Sequence, residues 1–414
     1  MIPSKESRII ETLNSGVQEH SEEFSSKIDE YRQALIERGA YTLEDPQDMS
    51  IIPRVITKSE HQEIEQMCQE LTQTCFGVLS DYLSNPSTVP SSPMNDFIKT
   101  LPTTQRVLSG MARYDFLKQG LEYKLVETNF VNPGALIEST GSAETVLKIF
   151  PDLRKSLYSI APVNSAKRRL IERGVKNLLI LTRDSYEDCP SEVTDRHLIK
   201  NTVLPIHAEI VPQAEYGRIS VNGSIEYGGK TFDGVYPKHL SGSSGMEDEL
   251  LNYKEFVSSL LRSNAVVFDN WLTMLLEEKD LRFLSRQNPS IAKYLPQIRD
   301  FSEMQGEDYS DWVLKLRDTH CGRGVVIAPE SVDTSENGIM QQRIYTNKHP
   351  VVSLSGKSGN ATFDTGVYVS YCFDLDSHRL LNSEVAGYLT RFSITSDIVN
   401  MTQGGGVIPT LIEK

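Results

Sequence analysis

Two short runs, Met111–Phe116 (MARYDF) and Tyr123–Phe130 (YKLVETNF), alternate apolar and polar residues on either side of the turn-like Lys118-Gln119-Gly120. Successive side chains of a strand point to opposite faces, so each run hides one face and presents the other, and the tripeptide between them predicts a β-hairpin. A two-stranded hairpin is marginal by itself in water, so other elements must cover its apolar face. With 414 residues the chain exceeds the roughly 250–300 at which a single core splits, which allows two or three packed parts with a cleft between them.

The polar face carries the chemistry. Arg113 and Asp115 lie two apart on one strand, as do Glu127 and Asn129 on the other, so pairing of the strands gathers Asp115, Glu127 and Asn129 beside one guanidinium. Few, hard oxygen donors of this kind suit Mg²⁺ when phosphates and waters complete its shell. By spacing alone, a solvated hairpin face describes the same residues. Asn132-Pro133-Gly134-Ala135 then turns into a helix expected to run to Ile149, placing backbone N–H groups where an anion could sit.

Along the chain, helical spacing runs from Ser4 to about Leu83 (Ile9, Leu13, Val17; Ile64, Met67, Leu71, Cys75), and Ser84 to Pro93 reads as a loop. Strand patterns follow at Lys176–Thr182, His207–Val211, Ile219–Ile225 and Phe232–Tyr236, then helical spacing from Glu247 to Glu303, and strands from Trp312 onward. The expected class is α/β (α+β). The expected parts are a helical N-terminal region (1–100), the hairpin part (101–160), a small inserted α/β substrate domain (161–262) and a final part (263–414).

Three further blocks bear charge or glycine in places suited to a nucleotide. Lys315 ends the apolar run Trp312-Val313-Leu314, and Gly322-Arg323-Gly324 follows as a loop able to approach phosphates closely. Gln341-Gln342 closes a strand whose backbone could read an adenine edge. Lys279 is expected on a helix that follows the strand Ala265–Phe268, and Arg391 precedes the glycine-rich Asn400–Pro409. Taken singly, a hairpin turn, a plain strand edge, a solvated helix lysine and a surface salt bridge describe these residues equally well.

A net charge of −14 and a pI near 5.2 repel a phosphate backbone, so nucleic acid is not expected as a partner. Five scattered cysteines lack the spacing of a disulfide framework or zinc site, and the acidic, lysine- and serine-rich start lacks the apolar run of a signal peptide. A cytoplasmic protein without membrane spans is expected, and the sequence leaves a homodimer open.

In order, these blocks resemble the circularly permuted ATP-grasp ligases, whose best-known relatives are the glutathionylspermidine synthetases. Arg113-x-Asp115, Glu127-x-Asn129 and Pro133-Gly134 match that family's metal blocks. Lys279, Lys315 with Gly322-Arg323-Gly324, and Gln341-Gln342 match its ATP blocks, over roughly Val107 to Pro409. No N-terminal cysteine amidase domain is expected, and the segment Asn400–Gly406 departs from a polyamine ligase. The resemblance implies an ATP-grasp fold with permuted block order and ATP and Mg²⁺ as cofactors. It implies that a carboxylate is phosphorylated and an amine then attacks the acyl phosphate. Asp115, Glu127 and Asn129 would hold the metal. Lys279, Lys315, Gly322, Arg323, Gly324, Gln341 and Gln342 would bind ATP, while Arg113 and Arg391 would act on the developing charge. A non-catalytic nucleotide-binding module and a small-metabolite kinase are the alternatives.

Overall fold

The computed structural model describes residues 21–38, 40, 48–90, 92–102, 104–182, 206–238, 247–304, 307–317, 324–331, 333, 337–399 and 405–414. The Ile9, Leu13 and Val17 periodicity, Gly322, Arg323 and the start of the glycine-rich segment lie outside these residues.

The predicted hairpin forms, as strands Val107–Gln119 and Glu122–Asn129. It is one side of a seven-stranded sheet. The order runs Asp48–Met49, Gly406–Ile408, Arg379–Ser393, Ser358–Asp374, Val107–Gln119, Glu122–Asn129, with Lys348–Val352 also paired to Ser358–Asp374. Alternation divides the hairpin as expected. Ala112, Tyr114 and Phe116 enter the core beneath the helix Lys58–Ser84, while Met111 enters a second core under the helix Leu136–Ile149. Arg113 and Asp115 share the second face.

The long helix begins with a capping box, in which Thr57 accepts the Glu60 N–H at 3.0 Å and Glu60 accepts the Thr57 N–H at 3.4 Å. Its apolar stripe buries Ile64, Met67, Leu71, Cys75, Phe76 and Leu79, and Phe76 stacks on Phe373 at 4.8 Å. The helical N-terminal reading misses two short strands. Asp48–Met49 runs parallel to Gly406–Ile408, and Arg54–Ile56 parallel to Thr410–Glu413. Strands of two or three residues are too short to show a period.

The middle strands build a parallel sheet ordered Val266–Val267, Gly234–Tyr236, Asn177–Thr182, His207–Pro212. The run read as helical from Glu247 to Glu303 is more broken than its spacing suggests. Helices Glu247–Asn252 and Lys254–Arg262 are followed by strand Val266–Val267, a 3₁₀ turn Trp271–Leu276, helix Arg282–Gln287 and strand Ile298–Asp300. Beyond it lies a four-stranded antiparallel sheet, in the order Ile298–Asp300, Gly338–Gln342, Trp312–Leu316, Val325–Ile327. No helix among the described residues is long and apolar enough to cross a membrane. The architecture is a mixed α+β one.

Candidate active site

Across the hairpin, Arg113 stands opposite Asn129 and Asp115 opposite Glu127. On its other side the strand Val107–Gln119 meets Ser358–Asp374, where Gly366 faces Asp115, and the next strand places Arg391 opposite Asp364. A Cβ at Gly366 would lie 2.8 Å from Arg113 Cδ and 3.0 Å from Asp115 Oδ1, so this glycine leaves room for the guanidinium to lie across the sheet.

The result is a chain of alternating charges. Arg113 donates to Asp115 through Nε at 2.7 Å and Nη2 at 2.9 Å, and through Nη1 to the Gly134 carbonyl at 3.2 Å, just ahead of the helix Leu136–Ile149. Arg391 Nη2 donates to Asp115 at 3.0 Å and to Asp364 at 2.5 Å, and its Nε reaches Asp364 at 3.1 Å. Asn129 Nδ2 adds a bond to Asp115 at 3.2 Å, leaving its carbonyl oxygen to accept. Burial would raise the Asp115 carboxyl, but the two guanidiniums hold it below the usual range. For Asp364 burial prevails over Arg391 and the shift is upward.

Two lysines close on Glu127 from outside the main sheet. Lys279 pairs with Glu127 directly. Burial pushes Glu127 up, yet Lys279 and Lys315 hold it down at about 2. Lys315, on Trp312–Leu316, donates to the Val126 carbonyl at 2.8 Å. That carbonyl is available because the ladder shifts register there. Asp115 pairs with Glu127 and Phe116 with Leu125, so Val126 is the extra residue of a β-bulge. Burial and the neighbouring Lys279 lower Lys315 to about 8, against the opposing pull of Glu127.

Lys279 is not on a helix, contrary to expectation. The 3₁₀ turn stops at Leu276 because the next side chains bond outward. Glu277 accepts the N–H groups of Phe130 and Val131, the latter at 2.7 Å, and Asp280 accepts Arg282 Nε at 2.8 Å. Burial raises the Glu277 carboxyl to about 7 against those N–H bonds. Gln341 is buried on the face of its sheet that also carries Lys315, because Val313 pairs with Gln341 and Lys315 with Ile339. Its Oε1 makes no hydrogen bond. Gln342 is exposed, with its N–H bonded to the Gln297 carbonyl at 2.8 Å. Gly324 adopts φ 65° and its carbonyl accepts the Leu316 N–H at 3.0 Å.

Arg113, Asp115, Glu127, Asn129, Lys279, Lys315 and Arg391 therefore converge, and Gln341 lies one strand away from Lys315. Sequence reading missed Asp364, Gly366 and Glu277. The signal for the first two was the alternation Asp364-Thr365-Gly366 inside a strand, and for the third its place two residues before Lys279. Among the described residues no group of three or more His, Cys, Asp or Glu could alone hold a metal. The donors here are two carboxylates and one amide oxygen, a set that fits a hard divalent ion sharing its shell with phosphates and water.

No protein-family model matches the chain, and no curated protein matches it. Its fold is similar to that of a glutathione synthetase-like effector from Globodera pallida, solved in its apo form. The TM-score is 0.69 at 10% sequence identity, over 93% of this chain and 96% of that one. A putative gamma-glutamylcysteine synthetase from Methylobacillus flagellatus aligns at a TM-score of 0.43 and 12% identity, over 82% of this chain and 88% of that one. The first likeness shows a fold shared with that effector over nearly the whole chain.

Proposed function

We propose that the chain is an ATP- and Mg²⁺-dependent ligase of permuted ATP-grasp type, which joins a carboxylate to an amine through an acyl phosphate and releases ADP and phosphate. One observation carries the reading: four cations and three oxygen donors, drawn from distant parts of the sequence, meet between the main sheet and the small antiparallel sheet. Without a ligand these charges neutralise one another. With a nucleotide they exchange partners, and that exchange explains why so many are kept together out of water.

Asp115, Glu127 and Asn129 would hold Mg²⁺, which supplies charge neutralisation across neighbouring phosphate oxygens. Lys279 leaves Glu127 and Lys315 leaves the Val126 carbonyl to take phosphate oxygens. Arg391, gripped along its Nε and Nη2 edge by Asp364, retains Nη1 for the charge that develops on the transferring group. Arg113, fixed at both ends, orients Asp115. The reaction needs charge compensation and alignment more than a protein nucleophile. The partners are a small-molecule acid and an amine.

The test is ADP release measured with panels of small acids, with and without amines. A ligase requires both an acid and an amine. Release that is indifferent to amine would make the protein a kinase, and no release with any acid would make it a binding module.

A further inference from the structure

Lys279 and Lys315 stand on different parts of the molecule, and four charges join those parts beside both lysines. Asp280, directly after Lys279, accepts Arg282 through Nε at 2.8 Å and Nη2 at 2.7 Å, and Arg317 Nη2 at 3.0 Å. Arg317 lies two residues beyond Lys315, at the end of the strand Trp312–Leu316. Arg282 also reaches Asp300, on the edge strand Ile298–Asp300 of the same small sheet, at 3.1 Å and 2.6 Å. One carboxylate thus binds two guanidiniums, of which one belongs to the strand of Lys315 and the other bridges to that sheet's edge.

The other side of the segment is fastened as well, by Glu277 to the hairpin end and by Lys279 to Glu127. We propose that Asp280 is a positioning residue, which locks the small antiparallel sheet to the segment Glu277–Asp280 and so sets the spacing between Lys279 and Lys315 that a triphosphate spans. The proposal deepens the ATP reading and rests on it. Asp280 keeps 12% of its side chain exposed against 47% for Asp300, and paired, charge-assisted bonds to a shielded carboxylate hold geometry better than exposed pairs do. Asp300 therefore supplies a built-in comparison, since it touches the same arginines from the wet side.

The experiment compares Asp280→Asn, Asp280→Glu and Asp300→Asn by two readouts. Amide exchange without nucleotide follows the strands Trp312–Leu316 and Gly338–Gln342, and calorimetry with a non-hydrolysable ATP analogue gives affinity. Asp280→Asn is expected to speed exchange in those strands several-fold and weaken the analogue about tenfold, a loss of one charge-assisted contact. Asp280→Glu should restore most of the affinity, and Asp300→Asn should bind like the wild type. Wild-type exchange and affinity in Asp280→Asn overturn the proposal. Equal losses in Asp280→Asn and Asp300→Asn overturn it too, because they mark general stability rather than positioning. If the wild-type protein binds no analogue, the ATP reading fails, and exchange alone decides whether Asp280 holds the sheet.

Discussion

At the scale of single residues, Glu127 and Lys315 separate turnover from binding. Glu127 is held ionised by two lysines and would become a metal ligand, so Glu127→Gln should abolish ADP formation while far-ultraviolet circular dichroism stays that of the wild type. Near-normal turnover at unchanged Mg²⁺ dependence would falsify the metal assignment. Lys315 has burial against it and, among the described residues, donates to a carbonyl rather than to a carboxylate, so a bound phosphate is its best compensation. A charge-assisted phosphate contact contributes roughly 1.5–3 kcal/mol, against about 0–1 for an exposed pair. Lys315→Met should therefore raise the dissociation constant of an ATP analogue about tenfold or more, and an unchanged constant removes Lys315 from the nucleotide site. The face shared by Arg113, Asp115, Glu127 and Asn129 was legible because a strand's period of two is rigid. Asp364 was not, since nothing in a single sequence reveals that its strand, more than 200 residues further on, lies directly beside the hairpin in the sheet.

At the scale of elements, the long helix Lys58–Ser84 and the hairpin are joined by one acid. Glu60 completes the capping box and also accepts Lys118 Nζ at 2.6 Å, Arg54 Nη2 at 3.3 Å and the Tyr123 hydroxyl. Thr57→Ala removes only the cap, and should cost about 1 kcal/mol in urea denaturation. Glu60→Gln leaves Arg54, 5% exposed, without its counter-charge, and should cost roughly 3 kcal/mol or more. Equal costs for the two variants would mean that Glu60 serves the helix alone. Both elements could be read from their periods. The bulge at Val126 and the departure of Lys279 from a helix could not, because each is decided by a partner distant in sequence: Lys315 in one case, the Phe130 and Val131 N–H groups in the other.

At the scale of the whole molecule, stability should depend on pH through two buried groups outside the proposed ligand set. His349 is buried beside Arg54 with Nε2 unbonded, and burial first, then Arg54, lowers it from 6.5 to about 3. Below pH 6.5 the unfolded chain takes up a proton that the folded protein refuses, so stability is lost as pH falls from 6.5 toward 3, by up to about 1.4 kcal/mol per pH unit. Asp269 acts in the opposite sense. Burial raises it from 3.8 to about 8, so its folded form keeps a proton that the unfolded chain releases, and stability falls as pH rises between those values. Across pH 4 to 6 the two contributions oppose each other, so in His349→Gln the urea midpoint should fall more with rising pH than in the wild type, and parallel slopes would exclude His349 as a source. The class of fold was visible in the order of helical and strand patterns, but the closure of the main sheet by the short strands at Asp48 and Gly406 was too brief to leave a periodic trace.

The strand that carries Asp115 lies beside Ser358–Asp374, and Arg54–Ile56 beside Thr410–Glu413. A chain emerging from the ribosome makes the hairpin early, yet its neighbour in the sheet is synthesised only after the parallel and small antiparallel sheets are complete. The nascent hairpin meanwhile exposes an unpaired edge and a two-residue-period apolar face, the kind of surface that recruits other strands. Loop closure over so long an interval is slow. The hairpin can join its sheet only once Ser358–Asp374 has been synthesised, so recovery of the folded protein should depend on chaperone occupancy as well as on the stability of the finished fold.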